Sequence, residues 1–270
     1  EYVALRRGDL LGRGKLSALT VQTIRVTGLD ERACAANTSL TCIEALTMMK
    51  DLDGETRLSA LAELWLQHAM SISTTVPNSR TASTSAWIET ARHAYAYLFF
   101  TRRSPGERAF EERQTQVRDW YNYAVQKTVT QLFGLQHQAL RAHAGETKAT
   151  LRLGDWALRV DLNARLPNDA TTPRELLPAN ALAFQGLRGI YRRDGLGAEL
   201  VAVTEADPKS LDESDESSAG NERPGVFPAW SEMPTPNVTV VLRFDALTVD
   251  ELLASRELVV GVYDPLVQDY

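Results

Sequence analysis

Near residue 146 the spacing of apolar residues changes from helical to strand-like, and that switch limits the fold more than any other feature. Before it, Leu58, Leu61, Ala62, Trp65 and Ala69 follow the i, i+3, i+4, i+7 rule of one helical face, and Trp87, Ala91, Tyr95 and Leu98 repeat it. Phe110, Val117, Tyr121, Ala124, Thr128 and Leu132 make a third stripe. After it, Thr147, Ala149, Leu151 and Leu153 alternate with Lys148, Thr150 and Arg152. Trp156, Leu158, Val160 and Leu162 alternate in the same way with Ala157, Arg159 and Asp161. A period of about 3.6 residues and a period of 2 cannot serve the same element. The chain therefore reads as α+β, with an irregular helical domain over residues 1–145 and a small mixed sheet with short helices over 146–270.

Punctuation sharpens this reading. Ser104-Pro105-Gly106-Glu107 has the form of a capping box with Pro at the first helical position, and predicts the start of the third long helix. Gly134 reads as its stop, and a shorter helix is expected over Ile43–Lys50. Ser71–Ser85, rich in Ser and Thr and holding Pro77, reads as a polar loop. Aromatic residues recur about once per helix beside small Ala residues. Their spacing does not fit a tetratricopeptide array, which places two helices in each 34-residue repeat.

In the second half, Gly154-Asp155 separates the two alternating runs and suits a two-residue hairpin turn. Val238–Phe244, Leu258–Tyr263 and Leu200–Val203 are further strand candidates. Thr172-Pro173-Arg174-Glu175 and Thr248-Val249-Asp250-Glu251 each have the form of a capping box and predict short helices, the first closed by Pro178.

The net charge is −6. Glu205–Glu222 holds seven acids against one base, Lys209, so it carries the whole imbalance. With its Ser residues and lack of aromatics, the surrounding 205–225 reads as an acidic flexible loop. The rest of the chain is near neutral, which argues against a dedicated nucleic-acid binder. No apolar run reaches the roughly 18 residues of a membrane span. Beginning at Glu1 without a signal-peptide pattern, the sequence reads as a processed, trimmed or fragmentary form.

Catalytic patterns are absent one after another. There is no Gly-x-Ser-x-Gly elbow, no Walker loop and no His-Glu-x-x-His. Gly12-Arg13-Gly14-Lys15 reads as a turn. His68 and His93 lie within helical runs and read as packed or surface residues, and His137 and His143 do not share a helix face. No metal or cofactor is expected. Cys34 and Cys42, the only cysteines, either close a small disulfide loop in an oxidising compartment or stand as independent buried thiols. The run Leu187-Arg188-Gly189-Ile190-Tyr191-Arg192-Arg193-Asp194-Gly195-Leu196-Gly197-Ala198 is basic and turn-rich. Arg188, Arg192 and Arg193 are candidates for gripping a carboxylate or phosphate. The alternative is ion pairing within the fold, with Asp194 or Glu199.

Several stretches together carry a resemblance. They are Glu1-Tyr2-Val3-Ala4-Leu5-Arg6-Arg7-Gly8-Asp9, Arg57–Leu66, Ala91–Phe100, Arg113–Ala124, the Tyr191–Gly197 loop and Tyr263-Asp264-Pro265. In them the chain resembles the amino-terminal half of large proteobacterial cell-envelope α/β-hydrolase proteins, lipoproteins of the esterase or lipase type. The resemblance implies that the nucleophile, acid and His belong to a later domain, so no residue here takes a catalytic role. It also implies a lipidated Cys upstream of Glu1 and a place on the periplasmic face of the envelope. The function expected is that of an accessory portion of a serine hydrolase acting on carboxylic esters or lipids. Its partner would be its own downstream hydrolase domain or an envelope protein. The alternative is a non-enzymatic helical interaction module.

Overall fold

The middle helix of the chain is buried on nearly every side, and the other elements are arranged around it. In the computed structural model, residues 9–35, 40–75, 80–142, 148–162, 175–178, 195–203 and 237–263 are described. Four short helices, α1 (Leu10–Arg13), α2 (Ala18–Val26), α3 (Glu31–Ala35) and α4 (Leu40–Met48), precede three long ones. These are α5 (Gly54–Thr75), α6 (Arg80–Phe99) and α7 (Glu112–Ala142), with α6 packed against both of the others. The strands are β1 (Lys148–Leu153), β2 (Trp156–Leu162), β3 (Glu175–Pro178), β4 (Ala198–Val203), β5 (Asn237–Arg243) and β6 (Glu257–Tyr263), and a short helix, α8 (Val249–Ala254), joins the last two. The fold is α+β, as the change of period predicts.

The sheet runs β1-β2-β6-β5-β4-β3. Among the described strands only the β2–β6 pair is parallel. Leu153 pairs with Trp156 across Gly154-Asp155, and Gly154 takes the positive φ of 56° that this tight turn needs. Leu151, Leu153, Trp156, Leu158, Leu242 and Leu258 join the cluster that contains Trp87 and Trp120. Lys148, Thr150, Arg152 and Arg159 are exposed. One continuous core thus runs from the long helices into the sheet. Tyr121 fastens the two layers: its hydroxyl donates to the Leu242 carbonyl and accepts from the Leu242 N–H at 2.9 Å.

Four expectations are corrected. The Ser71–Ser85 stretch is mostly helix, since α5 runs to Thr75 and α6 resumes at Arg80. Several of its hydroxyls find partners without leaving the helices. Ser73 donates to the Ala69 carbonyl and Thr84 to the Arg80 carbonyl, Ser73 and Ser83 meet at 2.9 Å, and Thr84 donates to Gln131 at 2.8 Å. Ser104 and Glu107 do form a reciprocal cap, with Ser104 N–H donating to Glu107 at 2.6 Å, but it closes a tight turn and α7 starts at Glu112. Phe110 is accordingly fully exposed and off the α7 stripe. Gly134 does not end α7, because one glycine costs only about 1 kcal/mol in a helix that good helix formers continue. Glu175–Pro178 is the strand β3, not a helix. It pairs antiparallel with β4 at the sheet edge, where a proline's missing N–H is tolerated. The Thr248 cap is as read, with Glu251 N–H donating to the Thr248 hydroxyl at 3.2 Å.

A second, smaller core lies under the short helices. Ile24, Cys34, Cys42, Ile43, Leu46, Ala60, Leu61 and Leu64 form it, and a disulfide joins Cys34 of α3 to Cys42 of α4. Both cysteines are almost wholly buried. Replacing both with Ala removes a cross-link across a sequence separation of 8. The chain-entropy rule gives a loss of about 2–3 kcal/mol for a loop this short. Thermal unfolding of Cys34→Ala/Cys42→Ala beside the oxidised parent should show a drop of that order.

Candidate functional site

Charges buried in the helical half hold the short amino-terminal helices on the long ones. Ser17 caps α2, and its N–H and hydroxyl both donate to the Glu63 carboxylate, at 2.9 and 2.6 Å. Arg113, at the start of α7, donates to the Ser17 hydroxyl at 2.8 Å and to the Thr20 hydroxyl at 2.7 Å. Its guanidinium lies 3.5 Å from Glu63 and 4.8 Å from the centre of the Trp120 ring. Trp120 in turn donates its ring N–H at 3.0 Å to Asp9, which also caps α1. Glu63 and Asp9 are completely buried. A serine, a carboxylate and a cation are therefore in contact, yet among the described residues no imidazole is placed to take the Ser17 proton, and Ser17 itself is buried. The arrangement is a strut.

A cleft of about 360 Å³ opens beside this strut, between α2 and the start of α5. Arg113 and Tyr97 lie along its buried side, and Leu19, Val26 and Leu52 along its rim. Its far wall is a bridge of charge, in which Arg103 pairs with both Glu55 and Glu111. Hydrogen bonds from Arg103 hold the Glu55 carboxyl below its ordinary range, so Glu55 stays ionised at neutral pH. Behind it, the wholly buried Arg108 sits 4.3 Å from the Tyr97 ring centre and reaches Glu55 at 3.2 Å.

A second buried polar group couples α6 to the sheet. Glu89 pairs with Arg92 and, at 3.2 Å, with Arg256. Arg92 donates to the Leu253 and Ser255 carbonyls at 2.6 and 3.0 Å, closing the end of α8. Both guanidinium groups lie over Trp156, at 5.3 and 5.2 Å from its ring. Burial pushes the Glu89 carboxyl up against the pull of these two arginines. His93 donates from Nδ1 to the Glu89 carbonyl at 2.8 Å and stacks on Trp65, and burial together with Arg92 holds its pKa down at about 3. His68 packs edge-on against the same Trp65. Among the described residues no three His, Cys, Asp or Glu converge as metal ligands.

Of the residues singled out from sequence, Cys34 and Cys42 are bonded to each other in the small core. Arg188, Arg192 and Arg193 lie outside the described residues, as does the 205–225 stretch. The glycine-rich end of the basic run is described. Asn122 of α7 accepts from the Gly197 N–H at 2.7 Å and donates to the Gly195 carbonyl at 2.9 Å. Gly197 has φ 114°, and a Cβ there would meet the Val240 carbonyl at 2.7 Å. Sequence reading did not single out Glu63, Tyr97 or Arg113. The signal was present for Arg113, which stands four residues before Val117 and eight before Tyr121 and so places a charge on a buried stripe. Comparison of the chain with protein-family models, curated proteins and solved structures gives no match.

Two outcomes test these roles. Arg113→Met strands the buried Glu63 carboxylate and should lower stability by about 3–5 kcal/mol, the cost of breaking a buried pair by removing one partner. Denaturant titration would measure it. His93 has the opposite requirement, since it must stay neutral. Below its ordinary 6.5 the unfolded chain takes up a proton that the fold refuses down to about 3. Stability should therefore fall on acidification, by about 2 kcal/mol from this residue at pH 5. Glu89, raised by burial, acts in the opposite sense and does so equally in a His93→Asn variant. Unfolding between pH 7 and 5 should be less pH-sensitive in that variant.

Proposed function

We propose that this chain is the amino-terminal accessory portion of a bacterial cell-envelope serine hydrolase acting on carboxylic esters or lipids. An α/β-hydrolase domain outside the described residues would supply the nucleophile, the acid and the His. The observation that carries the reading is the commitment of Ser17, which among the described serines is the one bonded to both a buried carboxylate and a buried cation. Its oxygen is held between Glu63, Arg113 and Thr20. The rest of the support is the resemblance of the Arg57–Leu66, Ala91–Phe100 and Arg113–Ala124 stretches. These fall on α5, α6 and α7, so the resemblance follows the helices that make the main core. The Cys34–Cys42 disulfide suits an oxidising compartment, in keeping with the periplasmic face of the envelope and attachment through a lipidated Cys upstream.

A second reading, an interaction module with no enzymatic domain, is favoured by one observation. Phe110 is wholly exposed, and Val26, Met48 and Leu247 nearly so. The two readings separate in one experiment. The purified chain should not cleave p-nitrophenyl butyrate above buffer, whereas the product of the whole gene should, and a Ser→Ala change in its Gly-x-Ser-x-Gly should abolish the activity. Turnover by the chain alone, or a coding region with no such elbow beyond the Tyr270 codon, would overturn the hydrolase reading.

A further inference from the structure

We infer that the cleft between α2 and the start of α5 binds a small organic cation, a primary ammonium on a short alkyl chain, with the Asp53 carboxylate as its counter-charge and the Tyr97 hydroxyl as a second acceptor. Three carboxylates line the cleft, Asp53, Glu55 and Glu111, against two guanidinium groups, Arg103 and Arg113. The pairings leave one carboxylate over. Arg103 holds both Glu55 and Glu111, Arg108 backs Glu55, and Arg113 is taken by Glu63 outside the lining. Asp53 is exposed and pairs with no cation among the described residues. Its Oδ2 caps α5, accepting from the N–H and the hydroxyl of Thr56 at 3.0 and 3.1 Å, and among the described residues its Oδ1 accepts from nothing. Tyr97 is 2% exposed and lines the same cleft, yet its hydroxyl is not sealed in. It meets solvent there and bonds to no described residue, so its oxygen is open to an ammonium N–H.

The same inventory selects among ligands. A carboxylate or phosphate would meet an excess of negative charge and two guanidinium groups already paired. A metal ion needs several converging oxygens, and among the described residues no three His, Cys, Asp or Glu converge. An ammonium needs only one carboxylate and can reach Asp53 without displacing Arg103 from its own two. The rim is apolar, with Leu19 49% and Val26 73% exposed beside Leu52, and suits an alkyl chain. The volume, about 360 Å³, lies at the small end of ligand pockets, which span roughly 300–1,000 Å³. An ion pair at an exposed carboxylate adds at most about fivefold in affinity, so burial of the chain against the rim supplies the rest. This inference does not rest on the hydrolase reading, and a failure of either leaves the other standing.

Saturation-transfer NMR on the intact chain with hexylammonium, hexanamide and hexanoate, each separately, tests it. All three share one chain and differ in the head group. Hexylammonium should bind about fivefold more tightly than hexanamide at low salt, and hexanoate most weakly. Asp53→Asn removes the charge but keeps an equally good helix cap. It should cancel the advantage of hexylammonium and leave hexanamide binding as it was, which shows the cleft still formed. Tyr97→Phe should weaken hexylammonium about threefold, the loss of one hydrogen bond. No saturation of hexylammonium, equal or tighter binding of hexanamide or hexanoate, or an undiminished hexylammonium affinity in either variant would each overturn the proposal.

Discussion

The hydroxyl of Tyr121 holds the helical layer on the sheet. β4 begins at Ala198, opposite Val240 of β5, and two residues further along β5 the backbone of Leu242 bonds on that side to Tyr121 instead of to β4. Because the hydroxyl both donates and accepts there, it satisfies two buried backbone groups at once, each of which would cost about 1–3 kcal/mol if left unpaired. It also fixes the rotation of α7. With Tyr121 turned to the sheet, the preceding Trp120 points to Asp9 and α1, and Arg113, two turns earlier, meets Ser17 and Glu63. One helix thereby sets the position of the sheet and of the short amino-terminal helices.

From this follows the pattern of buried polarity. α6 lies between α5 and α7 and also touches α8, so it has no solvent face on which to leave its charges. Glu89, Arg92 and His93 are therefore buried together, and the fold meets the demand in two ways. The carboxylate and guanidinium groups pair with each other and with backbone carbonyls, while the imidazole is kept neutral. At the opposite end, Arg108 solves the same problem with the carbonyls of Tyr97 and Leu98 and the face of the Tyr97 ring.

Much of this architecture was legible in the sequence, wherever one local pattern decided the element. The Gly154-Asp155 hairpin, the Thr248 cap and the stripes of α5 and α6 are all local, and they stand as read. The errors fall where a tertiary contact outweighed local chemistry. Ser73, Ser83 and Thr84 read as loop because their hydroxyls compete for backbone, but here they bond within and between helices. Glu175–Pro178 carried a helix signature, yet an edge position beside β4 was available. The cleft was illegible for a different reason. Tyr97 and Arg113 come from separate helices and the rim from α2 and the approach to α5, a convergence that no sequence spacing encodes.

The two cores meet along α5, which supplies Leu58, Ala62 and Leu66 to the large one and Ala60, Leu61 and Leu64 to the small one. Leu16 and Trp65 are the partly buried residues that pack on both the large cluster and the small one, while the remaining members of each keep to their own. Cooperativity in a folded chain passes through shared contacts, and a unit joined to the rest by few of them can open by itself. The α3–α4 part of the small core, outside α5 and the Ser17–Glu63–Arg113 strut, should thus open before the rest, with the Cys34–Cys42 bond as its own internal clasp. Amide exchange in α3 and α4 would then follow the redox state of the surroundings, while exchange in α6 and the sheet follows only the global stability.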